Sequence, residues 1–120
     1  LMLQLAKKGN EKAQMQIGLM YIFANGTVTN HQEGYFWLKE SALQGFEPAQ
    51  RNLGSLYIQG IGKDPDPALS YAWLTIASAS AEEEPEEYEQ IKKTLNSQEL
   101  ELAATLAVEL RALIQDRSDK

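Results

Sequence analysis

Apolar residues recur along this chain at helical spacing, and the recurrence itself repeats. Ala13, Ile17, Gly18 and Tyr21 lie at i, i+4, i+5 and i+8, which is one face of a helix. Gly34, Trp37, Ser41 and Ala42 share a face of a second helix, small residues flanking one large ring. The pattern predicts helices over about 11–24, 31–44, 47–59 and 67–80. Residues 1–8 read as the second helix of an earlier, truncated unit.

A shift of 36 positions lays the chain on itself without gaps. Ala6, Gly9, Glu11, Ala13, Gln14, Gly18, Tyr21, Ile22 and Gly26 meet Ala42, Gly45, Glu47, Ala49, Gln50, Gly54, Tyr57, Ile58 and Gly62. Tyr35, Trp37 and Leu38 meet Tyr71, Trp73 and Leu74. Self-similarity at a fixed period marks a stacked repeat architecture. Glycine inside a helix is unfavourable by ~1 kcal/mol relative to alanine. The pair Gly18 and Gly54 therefore predicts a close helix crossing with no room for a side chain.

Boundary signals repeat as well. Asn30 and Asp66 suit N-caps, Asn30 with Glu33 forms a capping-box pattern, and Pro67 fits a first helical turn. Gly9 and Gly45 suit the position after a helix end, while Gly26 and the pair Gly60 and Gly62 break the chain between helices. The units run 10–45 and 46–81, after a truncated piece at 1–9 and before a degenerate capping region at 82–120, all within one domain.

Past residue 81 the pattern fades. Glu82, Glu83, Glu84, Glu86, Glu87 and Glu89 crowd around Pro85 and read as a solvated helix start, since acidic side chains favour the helix dipole there. Tyr88, Ile91 and Leu95 mark a short helix. Asn96 caps a last one with Glu99 at its third position, and Leu100, Ala103, Ala107, Leu110 and Ile114 form its apolar stripe. A terminal element with a polar outer face is what a solenoid needs, and Asp116–Lys120 is expected to fray.

Composition narrows the function. The chain has 120 residues, 43% of them hydrophobic and 23% charged, enough to bury a core. A net charge of −6 opposes binding to nucleic acid. No apolar run is long enough to insert in a membrane. With no cysteine there is no disulfide and no thiolate chemistry. Compartment does not follow, cytoplasmic and periplasmic settings being indistinguishable.

The units resemble the Sel-one-like repeat family, relatives of the tetratricopeptide repeat. The resemblance rests on Ala49-Gln50, Leu53-Gly54, Tyr57, Gly60, Gly62, Asp66, Trp73 and Ala77. In the first unit it rests on Ala13-Gln14, Ile17-Gly18, Tyr21, Gly26, Asn30, Trp37, Ala42 and Gly45. Gly34 and Ser70 depart from the usual alanine after the cap, and Ala24 from the first loop glycine. The resemblance implies an all-α fold, an α/α right-handed superhelical solenoid of helix-turn-helix repeats closed by a C-terminal capping helix. It implies first helices lining a concave face and a scaffold or adaptor role, in bacteria often linked to envelope or host-interaction processes. Lack of cysteine disfavours the disulfide-bearing branch with β-lactam-related activities.

Candidate chemistry is sparse. The single histidine, His31, follows the Asn30 cap and reads as an exposed first-turn residue without an orienting partner. Zinc needs several His or Cys ligands, and Asp64 with Asp66 supplies too few oxygens for calcium. Neither a cofactor nor a catalytic residue is expected. Trp37, Trp73, Tyr21 and Tyr57 recur in register and read as core.

The favoured reading is a protein–protein interaction scaffold that binds a peptide or protein segment. The alternative is an accessory or small-molecule-binding part of a larger enzyme or envelope protein. Met15, Leu19, Ile22 and Phe23 make a second apolar stripe on the first helix, beside the core face. Their counterparts Arg51, Ser55, Ile58 and Gln59 are more polar. Packing positions recur while recognition positions vary, so these eight residues are the expected concave protein-binding surface. The apolar stripe equally suits packing against an earlier unit, or self-association through the truncated N-terminal end.

Overall fold

The structure is a computed structural model in which residues 1–24, 30–80 and 84–119 are described. These residues form helices and no strand: α1 (Met2–Lys7), α2 (Glu11–Phe23), α3 (His31–Leu43), α4 (Glu47–Gln59), α5 (Pro67–Ser80), α6 (Glu86–Thr94) and α7 (Ser97–Ser118). The result is an all-α solenoid of two helical pairs, α2 with α3 and α4 with α5, ended by α6 and α7. Gly26 and the acidic residues Glu82 and Glu83 lie outside the described residues.

Short polar side chains start the helices. Asn10, Asn30, Asp66 and Asn96 each accept a hydrogen bond from the backbone N–H three residues on, at 2.8–3.1 Å. At Asn96 the box is reciprocal, because Glu99 accepts from the Asn96 N–H in return. At Asn30 it is half made, which corrects the sequence reading. The Glu33 carboxylate accepts from Trp37 Nε1 (3.1 Å), and the Asn30 N–H donates to Tyr21 O (2.9 Å). The Asp66 N–H makes the same bond to Tyr57 O at 2.9 Å, so each unit ties its second-helix cap back to its first helix. Gly9 and Gly45 follow helix ends at φ +95° and +91°, with open space where a Cβ would stand. Conformation, not crowding, selects glycine there.

Within each pair the helices meet at a glycine. A Cβ on Gly18 would stand 2.8 Å from Gly34 O and from Leu38 Cγ, and one on Gly54 would stand 2.6 Å from Leu74 Cγ and Cδ2. Between units the buried glutamines latch each pair to the helix before it. Gln14 Nε2 donates to Ala6 O and Gln50 Nε2 to Ala42 O, both at 3.0 Å. The recurring Ala-Gln pair thus has a physical role: the alanine lets the helices close, and the glutamine satisfies a carbonyl of the preceding unit.

Trp73 is buried in the main cluster with Leu38, Leu53, Tyr57 and Ile76, which Ala107 and Leu110 of α7 complete. Trp37 packs with Ala6, Ala13 and Ile17 in a smaller cluster at the α1 end. Helix α7 lies along α5 in the same direction, with Ala103 near Ala68 and Tyr71, and Arg111 and Ile114 near Ile76 and Ser80. Tyr88 of α6 stacks on Tyr71 at 4.6 Å and 7°, and is hydrogen-bonded to Thr75 Oγ1. Burial first, then Tyr88, pushes the Tyr71 phenol above its ordinary range. The expected fraying from Asp116 is corrected: α7 continues to Ser118, and Arg117 pairs with Glu40 of α3.

Candidate interaction surface

The first helices of the two units stand side by side. Asn52 Nδ2 of α4 reaches Met15 Sδ of α2 at 3.5 Å, which brings the two expected stripes onto neighbouring helices. Met15 and Leu19 are half-buried and lean on the main cluster. Phe23 is 54% exposed. One unit on, Arg51 and Gln59 are exposed and Ser55 is half-buried. The Arg51 guanidinium pairs with Glu47 Oε1 at 2.8 Å, one helical turn back.

Two of the eight expected residues belong elsewhere. Ile22 is 3% exposed and part of the main cluster. It fills the space that Gly34 leaves, since a Cβ there would stand 2.4 Å from Ile22 Cγ1. Its counterpart Ile58 is half-buried and packs on the second cluster, which includes Tyr71 and Ile91. Across from it stands Ser70, whose Oγ donates to Gly54 O at 2.6 Å and takes up the space that Gly34 leaves free. Of the eight, Phe23, Arg51 and Gln59 stay exposed, and Met15, Leu19 and Ser55 keep part of their surface exposed.

Met20 was missed by the sequence reading. Its counterpart Leu56 is buried, yet Met20 is 62% exposed. It lines a cavity of about 420 Å³ at the α1 end with Leu1, Met2, Leu3, Ile17 and Tyr21. One unit on, Tyr35 of α3 sits 5.3 Å from Tyr57 and donates to Ile61 O.

At the opposite loops, His31 is half-buried and not exposed as expected. Its ring lies over Gly62, where a Cβ would stand 2.4 Å from His31 Cγ. Lys63 Nζ sits 3.9 Å above the Tyr35 ring and 5.1 Å from Tyr57. Burial raises the Tyr35 phenol, and burial together with Tyr35 and Asp66 pushes Tyr57 up to about 12. These contacts hold Gly62 and Lys63 against the first turns of α3 and the end of α4. Among the described residues no group of three or more His, Asp or Glu side chains is placed to hold a metal ion, and no helix is long and apolar enough to cross a membrane.

Comparison with known proteins agrees with this architecture. No curated protein matches the chain. A solved structure does: the crystal structure of a protective antigen present in uropathogenic Escherichia coli strains, described as displaying an SLR fold. The two are 27% identical with a TM-score of 0.82, over 91% of this chain and 24% of the antigen. The chain thus spans about a quarter of that protein's length. The model of the Sel1 repeat matches residues 11–46 and 47–81, the two helical pairs described above. With most of its length in these two matches, the chain belongs to the Sel1 repeat family.

Proposed function

We propose that the chain is a non-catalytic scaffold which holds a peptide or protein segment along α2 and α4. Sel1 repeats generally mediate protein–protein interaction. The observation that carries the finer reading is the pairing of unlike stripes on adjacent first helices. Phe23, Met15 and Leu19 offer apolar surface, and Arg51, Ser55 and Gln59 offer polar surface beside it. A segment that fits has one or two apolar side chains followed by a carboxylate. The apolar part would cover Phe23, and the carboxylate would take the Arg51 fork in exchange for Glu47. The face belongs to the first helices, and we take it to be the concave side of the solenoid.

Selection from a displayed peptide library tests this. Selected peptides should share an apolar–acidic pattern and shift the amide signals of α2 and α4. Phe23→Glu with Arg51→Glu should abolish binding and leave the fold intact, because both side chains are exposed. A consensus without acidic residues, or signals that move elsewhere, overturns the reading.

A second reading concerns self-association at the α1 end, favoured by the exposed Leu1, Leu3, Leu5 and Met20 clustered there. Sedimentation should then show dimers that Met20→Glu dissociates; a monomer at all concentrations removes it.

A further inference from the structure

Two exposed apolar patches stand on different elements, and the charges beside them are opposite. At the α1 end Leu1, Leu3, Leu5 and Met20 are exposed. Lys7 and Lys8 at the end of α1, and Lys12 in the first turn of α2, are exposed as well. No ion pair engages these lysines among the described residues. The patch is therefore apolar at one end and basic at the other.

The second patch lies on α7. Leu102, Leu106, Glu109 and Leu113 stand at i, i+4, i+7 and i+11, one face of that helix. It lies beside the face that packs into the fold, which carries Ala103, Ala107 and Leu110. Leu106 is half-buried, whereas Leu102 and Leu113 are exposed. Leu113 shares a cavity of about 320 Å³ with the exposed Phe36 and with Lys39 on the α3 wall. Glu109 in the same row, and Glu101 next to Leu102, are exposed and make no ion pair among the described residues.

We propose that the two patches bind each other between copies of this chain. The α1 end of one copy docks on the α7 face of the next, leucine on leucine, with Lys7, Lys8 and Lys12 beside Glu101 and Glu109. This rests on the self-association reading above and names the other half of that contact. Charge selects the pairing. An α1 end set against a second α1 end brings lysines toward lysines, whereas α7 offers carboxylates beside its apolar surface. Such a contact is heterologous: it joins unlike surfaces and leaves one of each free, so copies add head to tail and do not stop at two.

Sedimentation velocity over a concentration series tests this on the whole chain and on two variants. Leu3→Glu with Met20→Glu closes the α1 end, and Phe36→Glu with Leu113→Glu closes the α7 face. All four positions are exposed, and circular dichroism checks that the helices and the melt are kept. The parent should form species larger than a dimer as concentration rises. Each variant alone should stay monomeric. Their equimolar mixture should form a dimer and nothing larger, because each supplies the surface that the other lacks. Glu101→Lys with Glu109→Lys should weaken association at least about tenfold, and Lys7→Glu, Lys8→Glu and Lys12→Glu added in the same chain should restore it. A parent that is monomeric at every concentration removes both this contact and the self-association reading. Dimers of the variant closed at α7, formed alone, leave that reading standing as a contact between two α1 ends and overturn the head-to-tail contact. A mixture that stays monomeric while the parent associates overturns it too, as does a charge-exchanged chain that fails to associate.

Discussion

In the first unit Gly34 leaves the helix crossing open, and Ile22 closes it by turning inward. In the second, Ser70 closes the crossing with a hydroxyl bonded to Gly54 O, and Ile58 is left half-buried against α6 and α5 residues. Gln14 is satisfied by Gln44, whereas Gln50 keeps a free oxygen. Trp73 is buried in the main cluster at 1% exposure, while Trp37 sits at 8% in a small cluster at the open end. Equal backbones thus hold unequal fillings. A repeat fixes where helices cross; what stands on the facing helix decides which side chain fills the crossing.

Removing the tryptophans should separate the units most clearly. Trp73→Ala should lower stability by about 3–5 kcal/mol, and Trp37→Ala by less, because its cluster is smaller and partly open. Urea unfolding followed by circular dichroism reads both. Equal losses would mean that the two units are energetically alike.

The crossing glycines come next. Gly18→Ala and Gly54→Ala should each cost about 1–3 kcal/mol, with Gly18→Ala the larger. Its new Cβ meets the Gly34 carbonyl, which cannot move without the helix, whereas at Gly54 it meets the Leu74 side chain. A reversed order in thermal melts would place the tighter crossing in the second unit.

Exchanging the fillers sharpens the comparison. Ser70→Gly loses the bond to Gly54 O and adds a flexible residue, an expected cost of about 1–2 kcal/mol. Gly34→Ser collides with Ile22 Cγ1, and adding Ile22→Ala, which removes that atom, should recover part of the loss. Recovery absent from the double variant in denaturant titrations would show that Ile22 is not what closes the crossing.

The smallest effect is silent at neutral pH. Tyr57 is neutral in the fold and its pKa is raised from 10.0 to about 12. Folding therefore favours the protonated phenol. This contribution is whole below about pH 10 and is lost as pH rises through about 12, and Tyr35 acts in the same direction. Urea midpoints should fall between about pH 9 and about pH 11, less steeply in Tyr57→Phe. An unchanged slope would assign the alkaline loss to other groups.

Much of this was legible in the chain. The expected helices over 31–44 and 67–80 compare with His31–Leu43 and Pro67–Ser80, because Asn30 and Asp66 cap through bonds that span three residues. Gly18 and Gly54 announced close approaches because glycine in mid-helix otherwise only destabilises. The surface was less legible. Ile22 and Ile58 are the same residue in the same register, and the stripe of Met15, Leu19, Ile22 and Phe23 gave no sign that one member turns inward. Met20 went unmarked in the sequence: its counterpart Leu56 is core, yet Met20 is exposed.

By itself the sequence determined the period, the helices, their caps and the points of closest approach. Those depend on residues within a turn of one another, or on a recurrence that only packing explains. The tertiary structure decided which apolar residues are covered and which polar atoms are satisfied. Burial of Ile22 depends on Gly34, the fate of the Gln14 oxygen on Gln44, and the end of α7 on Glu40. Each of those partners sits on another helix, and no local preference along the chain records how far away it stands.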